Sequence, residues 1–340
     1  MNFIKQKYVT LGIILFLITF IGCSRHQEEV IKKSKDLIKV SVRMKWFFNA
    51  TVTEFFVAKD KGFFKENGLD VTINPGGPAN SSVKLVAAGT DDFGVTGSSE
   101  LLQARAKGIP IVAVAVVFKR SPVVYIAKKI SHIEKPEDFI GKKVALVFGE
   151  NTETEYRAML KNLSIDANKI KEIAFNFNLV PFLEDKIDVI PAYAFDQPIS
   201  AEMEGAQINR IFPSDHGVTP YGDVLFTRDK MIEERPEIIE RFLRAFVQAW
   251  KWCMENPEEA IDILLKNTES LNLNKTKESA TLHEAFKFVI PKDEPNKQIG
   301  VMEHKRWEDS LMPLKEFNLV DKEIDLTTAY NSNFIDKVYK

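Results

Sequence analysis

Cysteine and histidine are scarce in this 340-residue chain, at two and five residues. That leaves too little material for a disulfide framework or a metal cluster. Neither sign of charge is in excess: 46 Lys and Arg stand against 48 Asp and Glu, a formal net charge of −2, which gives no electrostatic case for nucleic acid. No internal repeat and no low-complexity tract is present. The apolar run at the N-terminus, Tyr8 to Ile21, is about fourteen residues long, short of the roughly 20 residues that a membrane-spanning helix needs. What remains is 45% hydrophobic and 28% charged, ordinary for a globular protein of one or two domains.

The N-terminal run follows Lys5 and Lys7 and has the length of a signal peptide's apolar region. It ends in Phe20-Ile21-Gly22-Cys23, which resembles a bacterial lipobox, with Phe where Leu is usual. The resemblance implies a signal peptide over 1–22 and a lipidated Cys23. Residues 23–36, polar and charged, read as a tether. Cys253 is then the sole thiol of the mature chain and reads as a small buried hydrophobe.

The chain is organised around Arg43 to Pro78. Val40 to Met44 alternates as a half-buried strand does, and Trp46-Phe47-Phe48-Asn49 breaks the alternation. Thr53 predicts an N-cap, with Phe55, Phe56, Lys59, Phe63 and Phe64 at helical spacing. Gly62 and Gly68 punctuate the turns before a strand over Leu69 to Ile73. In open α/β sheets, ligands sit beyond the carboxyl ends of strands, where Trp46 and Asn49 fall. A ring beside an amide suits a planar heterocycle.

Further units follow the same plan. Asp92 to Val95 predicts a strand, and Gly97-Ser98-Ser99 opens a helix, either as its cap or as ligand donors. Ile109 to Phe118 is nearly continuously apolar and predicts a central parallel strand buried on both faces. Val144 to Phe148 predicts a strand leading to a helix from about Thr152 to Leu163. Asn151 or Thr152 can cap that helix, while Glu153 and Glu155 complement its dipole and disfavour an anionic ligand there. A strand ending at Tyr193 presents Asp196 and Gln197, with Asp196 also a candidate N-cap. From Glu233 onward the pattern is helical, with Ile239, Phe242, Leu243, Phe246 and Trp250 on one face.

Ala58 to Val71, AKDKGFFKENGLDV, together with the preceding Trp-plus-Asn loop, resembles the thiamine-pyrimidine and sulfonate type of periplasmic solute-binding proteins. The likeness extends over about Lys39 to Val320. It implies an α/β protein of the type II periplasmic-binding-protein fold: two α/β lobes joined by two hinge strands. Lobe 1 comprises 37–120 and 221–340, and lobe 2 comprises 121–220. The resemblance places Gly97, Ser98 and Ser99, the Asn151-Thr152 loop, and the aromatic-Gly-Asp element Tyr221 and Asp223 at the cleft. Where such proteins often carry Asn-Glu-Pro, this chain has Asp196-Gln197-Pro198, so a charge-assisted contact at Gln197 is lost and Asp196 is the candidate to supply it.

The implied function is lipid-anchored capture of a small planar heterocycle for an ABC importer at the cell envelope. A thiamine-type pyrimidine comes first and riboflavin second. The expected partners are the ligand, permease and ATPase subunits, and the membrane through the anchor. The protein is expected to be a monomer without cofactor, metal or catalysis. Two alternatives stand beside it. One is a sensor that reports ligand to a signalling partner. The other is a pyrimidine synthase of the same fold, whose site is Cys-rich, iron-dependent and consumes a histidine; here none of His26, His132, His216, His283 and His304 lies in the first loop.

Overall fold

The computed structural model describes residues 37–294, 296, 298–320 and 324–340. The expected signal peptide and tether, with Cys23, lie outside them. Two five-stranded sheets form the framework. The first is built from β1 (Ile38–Arg43), β2 (Leu69–Asn74), β3 (Phe93–Gly97), β4 (Ile111–Val116) and the late strand β10 (Asp223–Arg228), in the order β2-β1-β3-β10-β4. The second contains β5 (Val123–Lys128), β6 (Lys143–Leu146), β7 (Lys171–Ala174), β8 (Val189–Tyr193) and β9 (Ile208–Ile211), in the order β7-β6-β8-β5-β9.

Both sheets are mixed. β1 runs parallel to β3, and β10 runs antiparallel to β3 and β4. β6 runs parallel to β7 and β8, while β5 is antiparallel to β8 and β9. The chain leaves the first sheet after β4 and returns before β10. The two connecting segments lie side by side, with Ser121 N–H donating to Pro220 O at 3.2 Å and Gly222 N–H to Phe118 O at 2.9 Å. A Cβ on Gly222 would come within 2.8 Å of the Phe118 Cβ and 3.0 Å of Arg120 O, so glycine permits this close crossing.

The apolar run at Ile111–Val116 is buried on both faces, but it is neither central nor parallel: β4 is an edge strand antiparallel to β10. The C-terminal chain covers its outer edge. Ala113 N–H donates to Ala329 O at 3.0 Å, Asn331 N–H to Ala113 O at 2.8 Å, and Val116 N–H to Gly300 O at 3.0 Å. Coverage by a distant segment satisfies the edge and buries the strand.

Helix ends also differ from the sequence expectation. Thr53 lies within helical structure, and Asn49 caps the preceding 3-10 turn, accepting from Thr51 N–H at 2.9 Å. The helix Ser98–Ala106 starts from Gly97 without a side-chain cap, because the Ser98 hydroxyl donates instead to Tyr221 O at 2.7 Å. Asn151 and Thr152 lie in the first turn of the helix Asn151–Asn162 rather than capping it. Glu153 accepts from Gly149 N–H there at 2.8 Å, close to the positive end of the dipole.

The long helix Pro236–Glu255 buries Ile239, Phe242, Leu243, Phe246 and Trp250, with Phe242 stacked on Phe93 of β3 and Phe246 against Phe55, together with the free Cys253. The second sheet has its own apolar cluster around Tyr125, Phe139, Tyr156 and Met159. No helix among the described residues is long and apolar enough to cross a membrane.

Candidate functional site

A cavity of about 380 Å³ is lined by both sheets. Lys45, Trp46, Phe47 and Asn49 enter from the loop after β1, Glu54 and Phe55 from the helix Thr53–Asp60, and Asp223 from the start of β10. Asn151 and Thr152 face them from the start of the helix Asn151–Asn162. Phe177, Tyr193, Asp196 and Gln197 follow from the ends of β7 and β8. Val95, Val117, Phe118 and Phe195 add apolar lining. Strand ends and helix starts converge here for the reason given by the topology: open α/β sheets leave their crevice at the carboxyl ends.

Lys45 is the electrostatic centre. Its ammonium donates to the Tyr193 hydroxyl at 2.9 Å and pairs with Asp223 at 3.0 Å, with Glu100 at 4.0 Å. Burial alone would lower its pKa, but Asp223, Glu100 and Tyr193 outweigh that and hold it well above the usual lysine range. The Tyr193 hydroxyl passes the chain on, donating to Asn151 Oδ1 at 3.0 Å. One hydrogen-bonded row thus runs from β10 through Lys45 and Tyr193 to the second sheet's side. Glu150, at the cavity's rim, is pushed up by desolvation and then by its neighbour Glu100.

The rings form the mouth. Trp46 is 41% exposed, Phe47 55% and Phe177 56%. Trp46 meets Phe47 edge-on at 5.4 Å between centroids and Phe177 at 5.8 Å. Half-exposed indoles of this kind keep a face available for a ligand. Phe177 itself is held with φ at +57°, a left-handed conformation that costs a bulky residue free energy.

The structure brings together most of the residues singled out from sequence. Trp46, Asn49, Asn151, Thr152, Tyr193, Asp196, Gln197 and Asp223 all line the cavity. Several are already engaged. Asn49 Oδ1 accepts from Thr51, Gln197 Oε1 accepts from Tyr193 N–H, and Asp196 pairs with Lys277 at 2.9 Å while accepting from Gln197 Nε2.

Gly97, Ser98, Ser99 and Tyr221 are not among the lining residues. The Tyr221 ring packs edge-on against Trp307 at 5.5 Å, and its hydroxyl accepts from Glu303 N–H, so its polar and apolar parts are both used internally. Ser98 is spent on Tyr221 O, and Ser99 is buried.

Lys45, Glu54 and Phe177 were not anticipated. Lys45 and Phe177 carry local signals, a cation between a strand end and a Trp and an aromatic in a polar stretch, but their partners are remote in sequence.

Two α/β sheets holding a ring-lined, internally ion-paired crevice define a two-lobe binding-protein fold. The chain belongs to the NMT1/THI5 like family, whose model matches residues 49–260, more than half of its length. It is 27% identical over 338 residues to a formylaminopyrimidine-binding protein of Halalkalibacterium halodurans, covering 96% of this chain and 99% of that one. It is 23% identical over 307 residues to a 4-amino-5-hydroxymethyl-2-methylpyrimidine phosphate synthase of Legionella pneumophila, covering 87% and 92%. In fold it matches the crystal structure of the periplasmic aliphatic sulphonate binding protein SsuA from Escherichia coli, with a TM-score of 0.68 at 17% identity over 87% of this chain and 92% of that one.

Proposed function

We propose that this chain is the extracytoplasmic solute receptor of an ABC importer, anchored at the cell envelope through a lipid on Cys23. Its cleft captures a planar nitrogen heterocycle and releases it unchanged. A thiamine-type aminopyrimidine is the first choice and riboflavin the second. The observation that carries this reading is the balance of the cavity wall: Lys45, its lining cation, is already neutralised by Asp223 and Glu100, while Glu54, Glu150 and Asp196 add further acids to the lining. Such a wall leaves its lining lysine no charge to spare for sulfonate or nitrate and suits hydrogen-bond donors on a flat ring. The half-exposed Trp46 supplies the stacking face. The near full-length likeness to a formylaminopyrimidine-binding protein supports the same class of ligand.

The synthase relative favours a second reading, pyrimidine-forming catalysis. Against it, neither His nor Cys is among the residues lining the cavity. Acid–base roles would fall to carboxylates and Tyr193, and the Lys45 network already engages Tyr193 and Asp223.

A thermal-shift screen of the signal-less protein tests the reading. An aminopyrimidine at 100 times its dissociation constant is expected to stabilise the fold by about 2.7 kcal/mol. Stabilisation by sulfonates alone, or chemical conversion of the bound pyrimidine, would sink it.

A further inference from the structure

Glu54 stands second in the helix Thr53–Asp60, whose other buried members include Phe55, Phe56, Val57 and Ala58. It is fully buried, and neither carboxyl oxygen has a hydrogen-bond partner. It also lines the cavity. A buried carboxyl without a partner is costly in an apolar setting, and an aliphatic residue would serve the helix better. Among the described residues, the buried unpartnered side-chain atoms that belong to the cavity lining are those of Glu54 and, from the second sheet's side, Thr152 Oγ1. Cys253, the nearby thiol on Pro236–Glu255, offers only a weak S–H donor.

We infer that Glu54 is a specificity-determining contact of the cleft, and that it takes the amidine-type edge of the ligand, a ring nitrogen beside an exocyclic amino group. This rests on the proposed capture of an amino-substituted heterocycle. Burial, opposed by its own backbone N–H, pushes the carboxyl well above the ordinary carboxylate range. A neutral carboxyl sets an O–H donor beside a carbonyl acceptor. An amidine edge sets an acceptor beside an N–H donor, so two parallel hydrogen bonds close without a charge being stranded. Should the proton pass to the ring nitrogen, the same two bonds remain as a carboxylate–amidinium pair. A sulfonate or nitrate carries acceptors alone and can satisfy just one of the two positions. The ligand therefore replaces what burial took from Glu54, and discrimination comes from leaving that group unpaired when the wrong ligand enters.

The test is calorimetric titration with two probes: 4-amino-5-aminomethyl-2-methylpyrimidine and its analogue bearing hydrogen in place of the 4-amino group. Wild type is expected to prefer the amino probe. Glu54→Leu is expected to weaken the amino probe tenfold or more, as loss of a buried polar pairing does, and to weaken the analogue, which keeps the ring-nitrogen acceptor alone, by a smaller factor. The ligand-free Leu variant should also melt higher than wild type. Glu54→Gln, whose amide also sets a donor beside an acceptor, should keep most of the preference. Unchanged amino-probe affinity in Glu54→Leu would overturn the inference and leave the proposed function standing. So would a Leu variant that no longer folds, since the carboxyl would then be holding the helix. Wild type that ignores both probes but binds a sulfonate would end the proposed function and this inference together.

Discussion

Behind the first sheet, Phe55, Phe64 and Phe93 each approach Phe242, at ring-centroid distances of 6.3, 5.1 and 4.2 Å, and all four rings are covered. At the cleft, Trp46, Phe47 and Phe177 approach one another at 5.4 and 5.8 Å, yet each is about half exposed. Ring spacing is similar and the environment is opposite. The first group is covered and contributes to folding, although Phe55 also reaches the cavity wall. The second stands over several acids and one paired lysine, and about half of each ring is left open. The same residue type thus stabilises the fold in one place and leaves surface for a ligand in the other.

The largest expected effect tests the first half of that contrast. Phe242→Ala removes the ring at the centre of the covered group and should cost about 3–5 kcal/mol of stability, read from urea unfolding. Ligand affinity of the folded fraction should be unchanged. A loss of affinity at constant stability would mean that Phe242 also shapes the cleft, through Phe55. Trp46→Ala should do the reverse, costing about 1–3 kcal/mol of affinity for a stacking heterocycle while moving stability by no more than about 0.5 kcal/mol. Unaltered binding would return Trp46 to the role of an exposed apolar residue.

How far the sequence foretold this division depends on how local each cause is. The unit from β1 through β2 was legible because strand alternation, helical spacing and Gly punctuation all act within a few residues. The two-lobe α/β fold followed from the resemblance carried by that same stretch. The position of β4 was not legible: an edge strand that reads as central owes its burial to Gly300 and Ala329–Asn331, far along the chain. Tyr221 was misplaced for a similar reason, since Trp307 and Glu303, more than 80 residues away, turn its ring inward. Lys45 is not legible locally because its meaning lies in Tyr193 and Asp223, at separations of 148 and 178 residues. The cap assignments at Ser98 and Asn151 failed because tertiary partners claimed those side chains.

A last contrast separates the two regions by pH. The covered rings carry no proton, whereas the cleft's margin holds Glu155, buried beside the chain crossing and accepting from the Ser121 hydroxyl at 2.6 Å. Burial, opposed chiefly by that bond, pushes its carboxyl from the ordinary 4.5 up to about 8. The folded protein therefore holds a proton over a pH range in which the unfolded chain has released it. The stability this group contributes is full below the unfolded value of 4.5 and is lost as pH rises toward 8. One such proton gives a downward slope of at most about 1.4 kcal/mol per pH unit. Asp223 and Glu278, also raised chiefly by burial, lean the same way. Glu155→Gln keeps an acceptor for Ser121 but carries no titrating proton. It should match wild type in denaturant unfolding near pH 5, exceed it at pH 8, and flatten the slope between. Identical slopes in the two proteins would mean that Glu155 is ionised in the fold, and the crossing between the sheets would then hold a charge that the buried rings of Phe242 and its neighbours never meet.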